Sequence, residues 1–153
     1  MEIKIAAVFI LMVLAAQFCA ASAMAQKAEN IANIQGKDWI LEQVNSGQAS
    51  VRIDRAGSTA DVYTIRFDAD RISGAAAPNR YFGPYTAGDG LAVSFGMIGS
   101  TMMAALFERT DLREQDYFNY LQKAYRWNLS SEKLELYTLD ADGNEAVLVY
   151  SLK

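Results

Sequence analysis

The segment from Gly74 to Phe107 constrains the backbone more tightly than any other part of the chain. It contains both prolines, Pro78 and Pro84, and several of the glycines, and these residue types fix or widen the φ angle. Aromatic residues lie among them, followed by a short apolar run and the sequence Gly-Ser-Thr-Met-Met. The segment therefore predicts a turn-rich aromatic knot over residues 79–85, and it contains no recognisable catalytic constellation.

The first 25 residues have the layout of a cleavable secretory signal peptide. Lys4 precedes an apolar run over residues 5–16, and a small-residue tract ends in the A-x-A site at residues 23–25. A membrane anchor is the rival interpretation, but this run is shorter than the about 20 apolar residues that span a bilayer. A third interpretation, lipidation of Cys19, is disfavoured by the bulky aromatic residue directly before it. We predict cleavage after Ala25 and a periplasmic or secreted protein.

Cleavage at that site leaves a chain without cysteine or histidine. Cys19 is the only cysteine, and histidine is absent from the sequence. No disulfide can then form in the mature domain, although the exported compartment permits disulfides. Histidine-dependent nucleophile pairs, histidine general bases and most zinc or copper sites are excluded as well. We therefore expect a protein that is not an enzyme and that uses no cofactor.

The remaining length suits one domain. Residues 26–36 are polar and alanine-rich, which makes them a leader and a candidate for disorder. Residues 37–153 are enough for a single core. The formal net charge of −4 disfavours a nucleic acid as partner. We expect no stable membrane span after signal cleavage, and the partner is an unknown protein or small molecule.

Alternating apolar residues predict mainly β structure. In the clearest run, residues 62–68, the side chains of Tyr63, Ile65 and Phe67 fall on one face, and residues 71–74 return beside it.

Strands are also predicted on either side of this hairpin. The first, over residues 37–44, directs Trp39, Leu41 and Val44 toward the core. The remaining predicted strands cover residues 51–54, 91–95, 125–129, 134–139 and 146–150, with Tyr125, Trp127 and Leu129 on one face of theirs.

One amphipathic helix is predicted over residues 111–124. Apolar residues recur there at helical spacing, and no glycine or proline interrupts them. Thr110 or Asp111 is suited to cap its start. Glu114 near the first turn and Lys123 near the last match the helix dipole.

Four segments occur in a recognisable order along the chain. They are residues 79–86 (N-R-Y-F-G-P-Y-T), Gly90-Leu91, residues 100–104 (S-T-M-M-A), and the helix with Tyr117, Phe118 and Leu121. In this combination the chain, from Trp39 to Tyr150, resembles the META domain, the family of the heat-shock protein HslJ. The resemblance implies an α+β, mainly β fold, a curved antiparallel sheet or partly open barrel with one helix packed across it. It implies no reaction, because the family is described through stress response, drug tolerance and secretion.

The chain departs from the family pattern at three positions. Pro78 and Ala105 stand where the pattern has cysteines, and Met102 stands where it has a basic residue. Losing both cysteines together is what a lost disulfide would look like. If relatives form that bridge, its removal would cost about 2 to 5 kcal/mol. We expect the packing of Phe82, Phe95, Met103 and Phe107 to offset this loss.

The aromatic segment is the candidate ligand site. Asn79, Arg80, Tyr81 and Tyr85 together could form an amphipathic platform of a guanidinium and ring faces. The architectural alternative makes the asparagine a turn residue, pairs the arginine locally and buries the rings, and we favour it.

Other candidate sites have simpler explanations. Residues 140–145 (D-A-D-G-N-E) resemble a calcium loop but place the glycine too early, so an Asp-Gly hairpin is favoured. The carboxylates from Glu108 to Asp116 are typical of a solvated helix start. Met97, Met102 and Met103 lack cysteine or histidine partners for a soft metal, which favours a role as core filler.

These observations predict a non-enzymatic, secreted META/HslJ-like domain that acts in envelope stress tolerance or protein interaction. The alternative is a small-molecule or peptide binding module that uses the segment from Asn79 to Tyr85.

Overall fold

A computed structural model describes residues 30–55, 62–104 and 109–153. Ten strands form one antiparallel sheet over these residues, and one α-helix, α1 (Glu114–Gln122), is present among them. The strands are β1 (Asp38–Ser46), β2 (Ala49–Arg52), β3 (Thr64–Phe67), β4 (Arg71–Ala76), β5 (Asn79–Ala87), β6 (Val93–Phe95), β7 (Gly99–Ser100), β8 (Arg126–Ser130), β9 (Lys133–Leu139) and β10 (Glu145–Leu152). The predicted signal peptide lies outside the described residues.

The sheet is rolled into a nearly closed barrel. Its strand order is β6-β5-β4-β3-β1-β10-β9-β8, with β2 paired to β1 and β7 paired to β5. The two ends meet where the Val93 N–H donates to the Tyr125 carbonyl (3.1 Å) and the Trp127 N–H donates to the Leu91 carbonyl (2.9 Å). The mainly β fold with one helix, expected from the resemblance, is confirmed.

A bulge in β1 explains its unusual pattern of inward residues. Trp39, Leu41 and Val44 are all buried, as predicted, although an even strand would turn Val44 outward. The pairing with β10 shifts register between Leu41 and Gln43, and an extra residue at a bulge changes the side that later residues face.

The predicted hairpin over residues 62–74 is present with a different start. Tyr63, Ile65 and Phe67 are buried together as expected. Tyr63, however, has a positive φ of 54°, so β3 begins at Thr64. A bulky residue in this region is uncommon.

Residues 79–85 form a regular strand, and the predicted turn-rich knot is wrong. Inward and outward positions alternate through most of β5. Pro84 is tolerated because β7 pairs with β5 at Tyr81 and Phe82, whereas β6 pairs from Tyr85 onward. A residue without an N–H donor therefore lies between the two partner strands.

The helix is shorter than predicted at both ends. Arg113 occupies the N-cap position, so neither Thr110 nor Asp111 caps the helix. The Asp111 carboxylate is instead engaged by the Arg109 side chain and by the backbone N–H of Asp54. Tyr117, Phe118 and Leu121 face the barrel and are buried, as predicted.

Three further corrections concern which side chains lie inside. Tyr125 precedes β8 and is exposed, while Trp127 is buried and Leu129 is half-buried. The predicted core roles of Phe82 and Met103 are wrong, since both side chains are 57% exposed. Met97 and Met102, also predicted as core filler, are exposed as well. Phe107 and Glu108 lie outside the described residues.

Part of the predicted leader packs on the barrel. Residues 31–33 form a 3₁₀ turn, and Ile34 is fully buried. The indole N–H of Trp39 donates to the carbonyl of Ile34 (3.1 Å). Within the described part of the chain, no helix has the length and apolar character required to cross a bilayer.

Candidate functional site

The inward face of β5 is tied to the core by hydrogen bonds. The Tyr85 hydroxyl donates to the carbonyl of Asp68 (2.8 Å) and accepts from the side-chain amide of Gln35 (2.7 Å). The Tyr81 hydroxyl donates to the carbonyl of Thr64 (2.7 Å). Both rings are buried, so neither presents a face to solvent.

Asn79 uses its side chain to join three parts of the fold. Its amide nitrogen donates to Glu114 Oε2 (2.9 Å) and to the carbonyl of Met103 (3.2 Å). Its amide oxygen accepts from the Thr101 hydroxyl (2.8 Å) and from the Met103 N–H (2.7 Å). The side chain is buried, and each of its polar atoms is satisfied. These partners are distant in sequence, so a local turn role does not describe Asn79.

Arg80 is the only one of the four predicted site residues that faces outward. Asn79, Tyr81 and Tyr85 alternate with it along β5 and point inside. The four side chains therefore occupy opposite faces of one strand and do not converge on a common volume.

A chain of tyrosine hydroxyls lies beneath this strand. Tyr150 donates to Tyr117 (3.2 Å), and Tyr117 lies 3.1 Å from Tyr81. Because the Tyr81 proton is given to Thr64, Tyr117 is the donor to Tyr81. Burial raises the pKa of Tyr117 to about 12, against the lowering effect of its two hydroxyl neighbours. Burial also raises the pKa of Tyr81 and of Tyr150 well above the usual value, so this chain is neutral at physiological pH.

The outward face of β5 forms an exposed apolar surface with two cations. We call it the β5 surface and define it as Arg71, Arg80, Phe82, Pro84 and Met97. Phe82 is 57% and Met97 86% exposed. A concavity of about 280 Å³ is lined by Asp70, Arg71, Phe82, Gly83, Pro84 and Met97. Neither arginine forms an ion pair with a described residue.

A larger cleft of about 850 Å³ lies between α1, β1, β2 and the turn before β10. Its basic side chains are already engaged. Arg109 pairs with Asp111 (2.5 Å), Arg113 pairs with Asp116 (2.7 Å), and Lys123 donates to the carbonyl of Asp140 (2.9 Å). Burial alone would raise the pKa of Asp111, but the Arg109 guanidinium and two backbone N–H groups bring it below the usual value. The three basic and three acidic side chains that line this cleft balance in charge. The cleft therefore gives no indication of a charged ligand.

The predicted hairpin at residues 140–144 is confirmed. The Asp140 carboxylate accepts from the backbone N–H groups of Asp142 (2.9 Å) and Asn144 (2.8 Å) and from the Ser46 hydroxyl (2.7 Å). These bonds, with the Ser46 hydroxyl foremost, hold the pKa of Asp140 below its usual range. Over the described ranges, no group of three or more acidic, histidine or cysteine side chains is placed to hold a metal ion.

The sequence matches the META domain family over residues 32–151. The chain belongs to the META domain family. An NMR structure of a protein from Burkholderia xenovorans resembles this META domain with a TM-score of 0.61 and 22% identity, covering 80% of this chain and 85% of that chain. That similarity concerns the fold alone. No curated protein matches the chain significantly.

The β5 surface was missed by sequence reasoning for an identifiable reason. In the run N-R-Y-F-G-P-Y the residues alternate between inward and outward positions. The glycine and proline within it are typical of turns, so the run by itself predicts a turn. As a strand, it has a side-chain period of two, which places Arg80, Phe82 and Pro84 on one side.

Proposed function

We propose that this META domain is an exported, non-enzymatic, HslJ-like protein that acts in envelope stress tolerance by binding another polypeptide through the β5 surface. The observation that carries the proposal is the exposed Phe82 and Met97 beside Arg71 and Arg80, which form no ion pair with any residue in the described ranges. Exposed aromatic, methionine and arginine side chains are enriched in protein interfaces.

The small volume of the concavity favours a single side chain of a partner protein over a free small molecule as its occupant. Pockets for small molecules usually measure about 300 to 1,000 Å³, and this one measures about 280 Å³. Arg71, at the start of β4, lines the concavity. Arg80 extends from the outward face of β5, as Phe82 does. Guanidinium groups complement carboxylates. The expected ligand is therefore a segment with an apolar side chain flanked by acidic residues.

A non-enzymatic role agrees with how the reactive side chains are used. The described carboxylates near α1 are engaged by arginines or by Asn79, and the core tyrosines are hydrogen bonded to one another. Export rests on the signal-like sequence, and mass spectrometry of the mature protein should give an amino terminus at Gln26. An intact or lipidated amino terminus would contradict export by signal cleavage.

Binding can be tested with defined peptides. An acetylated peptide with a central leucine between glutamates should shift the NMR signals of Phe82 and Met97, while a lysine-flanked peptide of equal length should not. Phe82→Ala and Arg80→Glu should each weaken binding at least about tenfold, as for residues central to an interface.

The matched control is Leu152→Ala, because Leu152 is an exposed apolar residue on β10 (52% exposed). It should leave binding unchanged. Equal binding of both peptides, or equal loss in the control variant, would contradict the proposed surface.

A cellular test addresses the stress role. Deletion of the gene should reduce survival in a membrane-perturbing detergent, and the wild-type gene should restore survival. Complementation by the Phe82→Ala, Arg80→Glu double variant at equal protein level would exclude this surface from the role.

The alternative is a small-molecule binding module using the segment from Asn79 to Tyr85. Such a ligand would occupy the concavity lined by Phe82, Gly83 and Pro84 of that segment. A fragment screen by ligand-observed NMR tests this alternative. The signals of a fragment that binds here should be attenuated by the wild-type protein and not by the Phe82→Ala variant.

A further inference from the structure

The methionines of the folded domain are gathered on its surface. Three of the six in the chain, Met97, Met102 and Met103, lie in the described residues, and the other three precede residue 30. Their exposed fractions are 86%, 99% and 57%. Methionine is an apolar side chain that usually fills irregular gaps in cores. No described methionine here contributes to the core, so packing does not account for them.

Indole and thiol groups, unlike the thioethers, are absent from the described surface. The two tryptophans, Trp39 and Trp127, are 2% and 0% exposed. The only cysteine, Cys19, lies in the predicted signal peptide. An oxidant that approaches the mature domain therefore meets thioether sulfur before indole or thiol. Tyr125, an exposed phenol, provides an internal comparison.

The backbone that carries these methionines is anchored. Gly99 and Ser100 pair with Phe82 and Tyr81 of β5. The Thr101 N–H donates to the carbonyl of Arg80 (3.0 Å), and both backbone polar groups of Met103 bond to Asn79. The methionine side chains thus extend into solvent from the segments that flank β7, where a polar oxygen on sulfur removes no core contact.

We propose that Met97, Met102 and Met103 form an oxidant-consuming modification site for hypochlorous acid. The thioether sulfur attacks the electrophilic chlorine, which gives a chlorosulfonium ion and hydroxide. Water then adds to sulfur, chloride leaves, and two protons are released, one of which neutralises the hydroxide. Sulfur is oxidised by two electrons to the sulfoxide, and chlorine is reduced to chloride. Methionine sulfoxide reductases can reverse the modification. This inference does not depend on the peptide-binding role proposed above.

The test is a titration of the exported protein with hypochlorous acid, followed by tandem mass spectrometry. About three oxidant equivalents per chain should be consumed as sulfoxides at these methionines before Trp39, Trp127 or Tyr125 is modified. Met102 and Met97 should react before Met103, in the order of their exposure. The oxidised protein should keep its circular dichroism spectrum and its melting temperature.

The control variant replaces all three methionines by leucine, which preserves size and apolar character. It should lose the early phase of oxidant consumption and should then be chlorinated at Tyr125 at lower doses than the wild type. Incubation of the oxidised wild type with methionine sulfoxide reductases should remove the added oxygen. The proposal is overturned if tryptophan or tyrosine reacts as early as methionine, or if sulfoxide formation unfolds the domain.

Discussion

Asn79 is the residue on which the local architecture of the site depends most. Its buried amide joins the start of β5 to Met103 and to Glu114 on α1. In the chain, Asn79 and Met103 stand close to Pro78 and Ala105, the positions at which the resemblance to the META pattern leads one to expect cysteines. Hydrogen bonds between Asn79 and Met103 therefore connect the two segments in which those positions lie. Phe82 and Met103, whose packing was expected to offset a lost disulfide, are exposed and cannot do so.

The substitution Asn79→Asp should destabilise the domain. The new carboxylate lacks the amide donors and lies beside Glu114, so unfolding free energy should fall by about 2 to 4 kcal/mol at pH 7. Burial and the like charge raise the folded-state pKa of the introduced carboxyl above its unfolded value. The loss should therefore be fully developed above that raised pKa and should decline as the pH falls toward about 4.

Urea unfolding at both pH values measures this effect. Adding Glu114→Gln to the variant should recover part of the loss, because it removes the repulsion. Arg80→Ala, the exposed neighbour, should change stability by less than about 0.5 kcal/mol. An Asn79→Asp loss that does not vary with pH would contradict the electrostatic explanation.

The two tryptophans provide a second prediction at this scale. The Trp39 indole N–H bonds to the Ile34 carbonyl, whereas the buried Trp127 Nε1 has no partner among the described residues. Replacement by phenylalanine removes similar volumes. Trp39→Phe also leaves a buried carbonyl unpaired, so it should cost about 1 to 3 kcal/mol more than Trp127→Phe. Thermal unfolding of both variants measures the two losses of stability. Equal losses would show that the hydrogen bond from Trp39 to the Ile34 carbonyl adds no stability.

At the scale of elements, α1 is held on the barrel by Tyr117. Its ring lies 4.9 Å from that of Tyr63, and its hydroxyl is the middle of the chain from Tyr150 to Tyr81. The Tyr81 ring, which packs on that of Tyr117, also requires Gly74, where a Cβ atom would lie 2.8 Å from the Tyr81 ring and 2.0 Å from the carbonyl oxygen of Thr64. A short helix without a side-chain cap depends on such tertiary contacts.

Tyr117→Phe tests the hydroxyl chain. The change leaves the Tyr150 hydroxyl without its acceptor and deprives Tyr81 of a donor, so we expect a loss of about 1 to 3 kcal/mol. Tyr120→Phe on the same helix is the matched control, since no described group bonds the Tyr120 hydroxyl, and it should change stability by less than about 0.5 kcal/mol. Chemical denaturation measures both, and an unchanged Tyr117→Phe stability would show that the hydroxyl chain contributes nothing net.

At the scale of the whole molecule, closure of the barrel joins β6 to β8. Only two backbone hydrogen bonds connect the ends across the described residues, those of the Val93 and Trp127 N–H groups. Closure satisfies edge groups that an open sheet would expose. Amide hydrogen exchange should therefore be slow at Val93 and Trp127. Arg52, whose N–H points away from β1, is the fast-exchanging comparison. Fast exchange at Val93 and Trp127 would indicate an open sheet.

The buried tyrosines also predict how the whole domain responds to alkali. Their folded-state pKa values are raised above the unfolded value near 10, because burial disfavours the phenolate. Stability should therefore be fully present below about pH 10 and lost as the pH rises toward the folded-state values, by up to about 1.4 kcal/mol per pH unit for each tyrosine. Phenolate absorbance and circular dichroism should change together. Ionisation of these tyrosines near pH 10 with the fold intact would contradict the burial.

The sequence by itself determined the mainly β character, the inward set Tyr63, Ile65 and Phe67, and the buried helix face. These features are local, because the side-chain period of each element is readable along the chain. The family was also evident from segments 79–86 and 100–104, and the matched range of 32–151 agrees with it.

Tertiary structure decided the closure of the barrel and the exposure of Phe82 and the methionines. It also decided that residues 79–85 form part of a strand and not the predicted knot. An apolar side chain lies inside only if another element covers it, and the exposure of Phe82 shows that no described element packs over the outer face of β5 there. Asn79 gained its role in the same way, since its partners at Met103 and Glu114 lie 24 and 35 residues along the chain. Such pairings depend on how the sheet curls, which no local pattern encodes.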